Sequence, residues 1–240
     1  MHLSQVNLFP ECYPTGEYYP FNLEILNHTR SVPFETSVTF FVGENGTGKS
    51  TLLKAIAHKC GAPDWKGSGR TPFRYNKYAE ALPGYLEIQW ANGTVPTSFF
   101  ASDTFQNFAQ ILDEWAAADP EMLKYFGGES LMTKSHGQCN LTFFKNRFQL
   151  KGLYLLDEPE NALSPKRQIE LLSILHETSR GGGAQFIIAT HSPILLALPG
   201  SLIYTFDDNV IKTIPYETTD HFRIYRDFLN HPEQFLTGDE

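Results

Sequence analysis

Ser37–Ser50 reads SVTFFVGENGTGKS. Val38 to Val42 are β-branched or aromatic and end at a glycine, the composition of a short strand buried on both faces. The next eight residues, GENGTGKS, match G-x-x-x-x-G-K-[ST] at every fixed position. Thr51–Lys59 (TLLKAIAHK) then reads as a helix that stops before Gly61 and Pro63. A strand turning through glycines directly into a helix is built for phosphate. Gly43, Gly46 and Gly48 let the backbone curl until the N–H groups along Glu44, Asn45 and Thr47 point at phosphate oxygens. The helix that begins around Lys49, Ser50 and Thr51 aims its positive end at the same place. Lys49 supplies a point charge for the β- and γ-phosphates, and Ser50 offers a hydroxyl to Mg²⁺. ATP with Mg²⁺ is the expected ligand.

The rest of the chain alternates strand and helix signals, which favours an α/β sheet with parallel strands at its centre. Tyr85–Trp90 and Thr94–Phe100 are strand-like, and Ala91-Asn92-Gly93 between them predicts a hairpin. Ser102 or Asp103 caps a helix expected to bear Phe105, Phe108, Leu112 and Trp115 on one face. Leu153–Leu156 is another buried strand. Ser164 and Pro165 open a helix running to about Arg180, and Gly181 to Gly183 end it. Gln185–Ala189 returns as a strand. Leu202–Phe206 and Val210–Ile214 flank the turn Asp207-Asp208-Asn209.

Three later stretches narrow the chemistry. LYLLDEPE places Asp157 and Glu158 at the end of a buried strand. Asp157 is suited to hold Mg²⁺ through water, and Glu158 to polarise an attacking water as general base. IIATHSP sets His191 just past an apolar strand, where a neutral imidazole can hydrogen-bond the γ-phosphate. Ser135-His136-Gly137-Gln138 stands 22 residues before Asp157, ahead of a helix. Serine and glycine at a helix start form an anion site, but one that cannot easily reach phosphate held by its own Lys49. It points to the phosphate of a second subunit.

The order GENGTGKST, SHGQ, LLDEPE and THSP resembles the ABC ATPase superfamily over residues 37–193 or so. Within it, the chain is similar to soluble SMC/RecF-like and OLD-like ATPases, above all to a group of small bacterial ATPases of the AAA/ABC type. The stretch SLIYTFDDNVIKTIPYETTDHFRIYRDFLNHPEQFL also resembles that group's ending. The resemblance implies a single ABC-type domain over 1–240: a mainly parallel central sheet flanked by helices, an N-terminal antiparallel β part, and a helical lobe at about 102–150. It implies ATP sandwiched between two head-to-tail subunits, with Ser135, Gly137 and Gln138 completing the opposite site. Ala162, Leu163 and Ser164 would then lie near the dimer seam. Two positions depart from the transporter pattern: His136-Gly137 replaces a glycine pair before the glutamine, and Glu160 stands where a threonine is usual. Asp103 and Gln106 are the alternatives for the family's Mg-binding glutamine loop.

ATP hydrolysis coupled to an unidentified protein partner is the expected function, with DNA maintenance and defence among the settings it allows. The alternatives are the ATP-binding subunit of a membrane transporter and a non-hydrolysing ATP-sensing switch. Glu158 argues against a pure switch, which needs no base.

Composition sets outer limits. The 240 residues are 41% hydrophobic and 19% charged, enough apolar material for a packed core and too little charge for a disordered chain. A net charge of −8 argues against a whole-surface grip on nucleic acid, though a local basic patch is allowed. Lys66, Arg70, Arg74 and Lys77, interleaved with Phe73, Tyr75 and Tyr78, offer one, and equally read as an ordinary solvated loop. Cys12, Cys60 and Cys139 are far apart and match neither a disulfide framework nor a zinc site. Glu11, the prolines and Gly16 interrupt any secretory signal, and no apolar run approaches the roughly 20 residues of a membrane span. A cytoplasmic chain without membrane insertion is expected. Tyr18 or Tyr19, ahead of the phosphate loop, is placed to stack on adenine or simply to pack.

Overall fold

The computed structural model describes residues 1–63, 76–102, 105–119, 121, 136–161 and 163–236. Strands and helices are numbered here in chain order. β1 (Leu3–Leu8), β2 (Ser31–Pro33) and β4 (Leu86–Trp90) form an antiparallel sheet in the order β2-β1-β4. The second sheet holds β3 (Val38–Val42), β5 (Thr97–Ala101), β6 (Gly152–Asp157), β7 (Ala184–Ala189), β8 (Leu202–Thr205) and β9 (Lys212–Thr213). Its order is β5-β6-β7-β3-β8-β9, parallel throughout except for the final β8–β9 pair.

The central strands are buried on both faces, and period-two alternation divides their side chains between two cores. Phe40, Val42, Tyr154, Leu156, Phe186 and Ile188 face one way. There they meet α3 (Phe105–Ala118), α4 (His136–Arg147), α5 (Pro165–Arg180) and α6 (Pro193–Leu196). Phe41, Leu153, Leu155, Ile187 and Ala189 face the other core, with Leu52 and Ile56 of α2 (Lys49–Lys59) and the apolar side of the antiparallel sheet. The short α1 (Glu24–His28) adds Ile25 and Leu26 to that second core. Near the end of the described residues, α7 (Asp220–Asn230) has no buried residue and exposes Ile224, Tyr225, Phe228 and Leu229.

Two expectations are corrected. Leu86–Trp90 and Thr97–Ala101 do not form a hairpin. β4 pairs with β1, whereas β5 pairs in parallel with β6. The burial patterns explain the split, because β4 alternates inward Leu86 with exposed Glu87 and Gln89, as a one-sided antiparallel sheet requires. Pro96 has no N–H to give a hairpin ladder, and its carbonyl instead accepts the Leu153 N–H at 3.0 Å, delivering the chain to β6. Gly152 makes that approach possible, since a Cβ there would lie 2.8 Å from the Pro96 oxygen. On α3, Phe108 and Leu112 are buried as expected, but Trp115 is 46% exposed. Ala109 and Ala116, two turns apart, are buried instead.

The two sheets are fastened by Gln185, which is fully buried on β7. Its Oε1 accepts the N–H groups of His2 at 2.7 Å and Leu3 at 2.8 Å, and its Nε2 donates to the Leu3 carbonyl at 2.9 Å. Gln185→Leu keeps the volume but strands two buried N–H groups, at roughly 1–3 kcal/mol each. The variant is expected to lose about 3 kcal/mol or more of unfolding free energy in urea titrations, with the mixed sheet order otherwise retained.

Candidate functional site

The strand ends place the site. In register, Phe41 faces Ala189, Ala189 faces Asp157, and Asp157 faces Ala101. The loops leaving β3, β6 and β7 therefore emerge side by side at the carboxyl edge of the parallel sheet, where ligands of open α/β sheets bind.

The loop after β3 curls through Gly43 at φ 145° and Gly48 at φ 105° before α2 begins. Gly43 has a second constraint. A Cβ there would lie 2.9 Å from Asp207 Oδ1, which accepts the Glu44 N–H at 2.6 Å. Lys49 is buried, and its ammonium folds back to donate to the carbonyls of Gly43 at 2.5 Å and Glu44 at 2.8 Å. Burial holds its pKa below the usual lysine value, opposed by Asp207, Glu158, Asp157 and Glu44. Tyr19 reaches α2 from the N-terminal side, its hydroxyl 2.9 Å from Thr51 Oγ1.

Ser50 and Asp157 come together across 107 residues. The serine hydroxyl donates to Asp157 Oδ1 at 2.6 Å, and Lys54 Nζ lies 3.2 Å from Oδ2. Asp157 is buried, which raises its pKa, while the Ser50 hydrogen bond and the Lys54 charge pull it back. Two hard oxygen donors converging beside a helix N-terminus suit Mg²⁺.

Glu158 has φ +50°, the one positive value outside glycine among the described residues. Such backbone costs free energy and persists where the surroundings over-determine it. Here the Glu158 N–H donates to the Ala189 carbonyl at 2.9 Å, and its own carbonyl accepts from Ser102 Oγ at 2.7 Å. Asn161 Nδ2 holds carboxylate Oε2 at 2.7 Å, leaving Oε1 3.7 Å from His191 Nε2. Glu160 turns inward and accepts the backbone N–H of His191 at 2.7 Å. The carboxylate is buried, and burial pushes its pKa up against the pull of the His191 and Thr190 hydrogen bonds. The His191 ring meets His221 of α7, Nδ1 to Nε2, at 3.0 Å. Burial first, then Lys49, lowers the His191 pKa, favouring the neutral imidazole.

Gly43 through Thr51, Asp157, Glu158 and His191 are thus gathered at one edge. Ser135 and Asp103 lie outside the described residues, as do Lys66, Arg70, Arg74 and Ala162. Gly137 and Gln138 fall in the first turn of α4, and Gln106 in the first turn of α3. Glu160, Asn161, Asp207 and His221 join the site without having been anticipated as part of it. Glu160 was visible only as a departure from a pattern. Asp207 bonds Glu44 across 163 residues and His221 meets His191 across 30, separations that carry no periodic signal.

A family model described as "AAA domain, putative AbiEii toxin, Type IV TA system" matches residues 141–197, from within α4 to just past α6. The zinc import ATP-binding protein ZnuC of Vibrio cholerae is 24% identical over 174 residues, 70% of this chain. The chain spans 62% of that relative's length. Among solved structures, "An inward-facing conformation of a putative metal-chelate type ABC transporter" matches with TM-score 0.54 at 16% identity, over 94% of this chain and 88% of that one. cbiO1 from Clostridium perfringens, "Part of the ABC transporter complex cbiONQ", matches at 0.50 and 18%, over 86% and 90%. At these identities the structural likeness is one of fold.

Glu160 makes a pH dependence testable. A carboxyl whose folded pKa is raised contributes stability below its ordinary value of about 4.3 and loses it as pH rises through the folded value. Glu160→Gln retains an oxygen for the His191 N–H and removes the buried charge. Its melting temperature relative to wild type is expected to climb from pH 5 to pH 8. A flat difference across that range would mean that Glu160 does not carry the linkage.

Proposed function

We propose that this chain, in fold and in the order of its motifs an ABC-type P-loop ATPase, binds ATP with magnesium and hydrolyses it as a head-to-tail dimer. One observation carries the reading: Ser50 and Asp157 meet at 2.6 Å beside the buried ammonium of Lys49, at the start of α2. The N–H groups from Gly43 to Thr51 bind the phosphates, and Lys49 offsets charge on the β- and γ-phosphates. Ser50 and Asp157 hold the metal, which supplies positive charge to the phosphate oxygens when bound. Glu158 polarises the attacking water and takes its proton, with Asn161 orienting the carboxylate. His191 donates to the γ-phosphate. Ser135, Gly137 and Gln138 complete the site of a second subunit, a role supported for Gly137 and Gln138 by their place in the first turn of α4. Dimer closure then drives an unidentified protein partner in the cytoplasm, in DNA maintenance or defence.

The names of ZnuC and cbiO1 favour a second reading, in which the chain is the ATP-binding subunit of a membrane importer. Among the described residues no helix is long and apolar enough to cross a membrane, so a separate membrane protein would have to copurify with it.

ATP turnover measured against protein concentration tests the proposal, with Lys49→Ala and Glu158→Gln as controls. The rate per subunit is expected to rise with concentration. Each variant should lose about 100-fold or more, while Glu158→Gln with ATP becomes a stable dimer by light scattering. Wild-type turnover no higher than that of Lys49→Ala at every concentration would overturn the enzyme, and a concentration-independent rate the dimer.

A further inference from the structure

His221 was assigned no role in the sequence, yet its ring touches His191 at the phosphate edge. We infer that His221 is a positioning residue, holding His191 in the tautomer whose proton sits on Nε2, facing Glu158 and the phosphate site.

The two rings leave little choice. With His191 Nδ1 and His221 Nε2 3.0 Å apart, one nitrogen must carry the shared hydrogen and the other must accept it. Were His191 the donor, its own Nε2 would be a bare lone pair facing Glu158 Oε1 at 3.7 Å, two acceptors turned on each other. With His221 as donor, His191 presents an N–H to that carboxylate, and the same N–H is what a phosphate oxygen needs. Among the described residues Nε2 of His191 is buried with no hydrogen-bond partner, a donor aimed into the site. Burial lowers the pKa of both rings, and each ring's neighbours include Lys49, Glu44 and Asp207 as well as the other. His221 also sits in the first turn of α7, where helix N–H groups disfavour a cation.

The contact is anchored from both sides. Glu160 fixes the His191 backbone through its N–H. Thr219 caps α7, accepting from the Phe222 N–H at 3.2 Å and donating to the Tyr216 carbonyl at 2.7 Å. Tyr216 in turn donates its hydroxyl to the Pro193 carbonyl at 2.9 Å, two residues beyond His191. Its ring packs on Phe222 at 4.7 Å between centroids. The imidazole of His221 is therefore held where it can set the proton on His191, as partners orient the ring of a ligating or catalytic histidine elsewhere.

The consequence for turnover rests on the proposed ATPase reading; the tautomer does not, and the experiment separates them. Long-range ¹H–¹⁵N spectra of the nucleotide-free, histidine-labelled full chain are expected to show His191 protonated at Nε2, and to show that preference lost in His221→Phe. In turnover assays His221→Phe should lower kcat roughly 10–100-fold, with ATP affinity and melting temperature unchanged. His221→Gln, which restores an N–H at similar reach, should recover most of the loss. Adding His221→Phe to His191→Ala should cost nothing further. A wild-type His191 protonated at Nδ1, or a tautomer unchanged in His221→Phe, would overturn the inference. Wild-type turnover equal to that of Lys49→Ala would sink the ATPase reading alone, leaving the spectra to decide the role of His221.

Discussion

Parallel pairing in one register, with Phe41, Ala189, Asp157 and Ala101 abreast, underlies everything at the site. Ladder hydrogen bonds run on past the strands and carry the loops with them. Thr190 donates to the Phe41 carbonyl at 3.2 Å, Glu158 to Ala189 at 2.9 Å and Phe206 to Val42 at 2.8 Å. The phosphate loop, the acidic pair, the histidine loop and the Asp207 turn are thereby aligned by backbone, before any side chain acts. A one-residue slip of β6 would exchange its two faces, sending Leu156 and Tyr154 into the core that holds Leu155. Because both faces are packed, the slip is opposed from both sides.

That rigid edge tolerates groups that resist burial. Lys49, Asp157 and Glu160 are all buried, and burial pushes each of them toward its neutral form. Their neighbours offset part of this: carbonyls and carboxylates around Lys49, Ser50 and Lys54 on Asp157, the His191 N–H on Glu160. Glu158 adds a left-handed backbone held by the Ala189 carbonyl and Ser102. Desolvated charge and strained backbone at a sheet edge are the usual cost of a pre-organised site, carried by the apolar cores on either side.

The last strand-and-helix segment belongs to this edge as much as the motifs do. Asp207, just past β8, fastens the Glu44 N–H and fills the space a side chain at Gly43 would need. His221 braces His191 from α7, while the matched family model ends at residue 197. The region that the family model matches and the region that completes the site are thus only partly the same. The outward side of α7, with Ile224, Tyr225, Phe228 and Leu229, lies on the helix that holds His221.

What the sequence determined by itself was local. Five β-branched or aromatic residues before GENGTGKS dictate strand, glycine turn and helix because each choice is enforced within a few residues by sterics and hydrogen bonding. The same holds for the strands ending at Asp157 and Ala189, and for the helix opened by Pro165. The motif order made the α/β sheet and its candidate residues legible. Tertiary structure decided what depends on partners distant in the chain. Whether Thr97–Ala101 folds back on β4 or joins β6 turned on the Pro96 carbonyl meeting Leu153, which no turn sequence encodes. Trp115 is left exposed while Ala109 and Ala116 are buried, a choice of helix face that the periodicity alone does not make. Glu160, Asp207 and His221 became parts of one site because burial and register brought them within hydrogen-bond reach, interactions whose strength depends on distance in space and not along the chain.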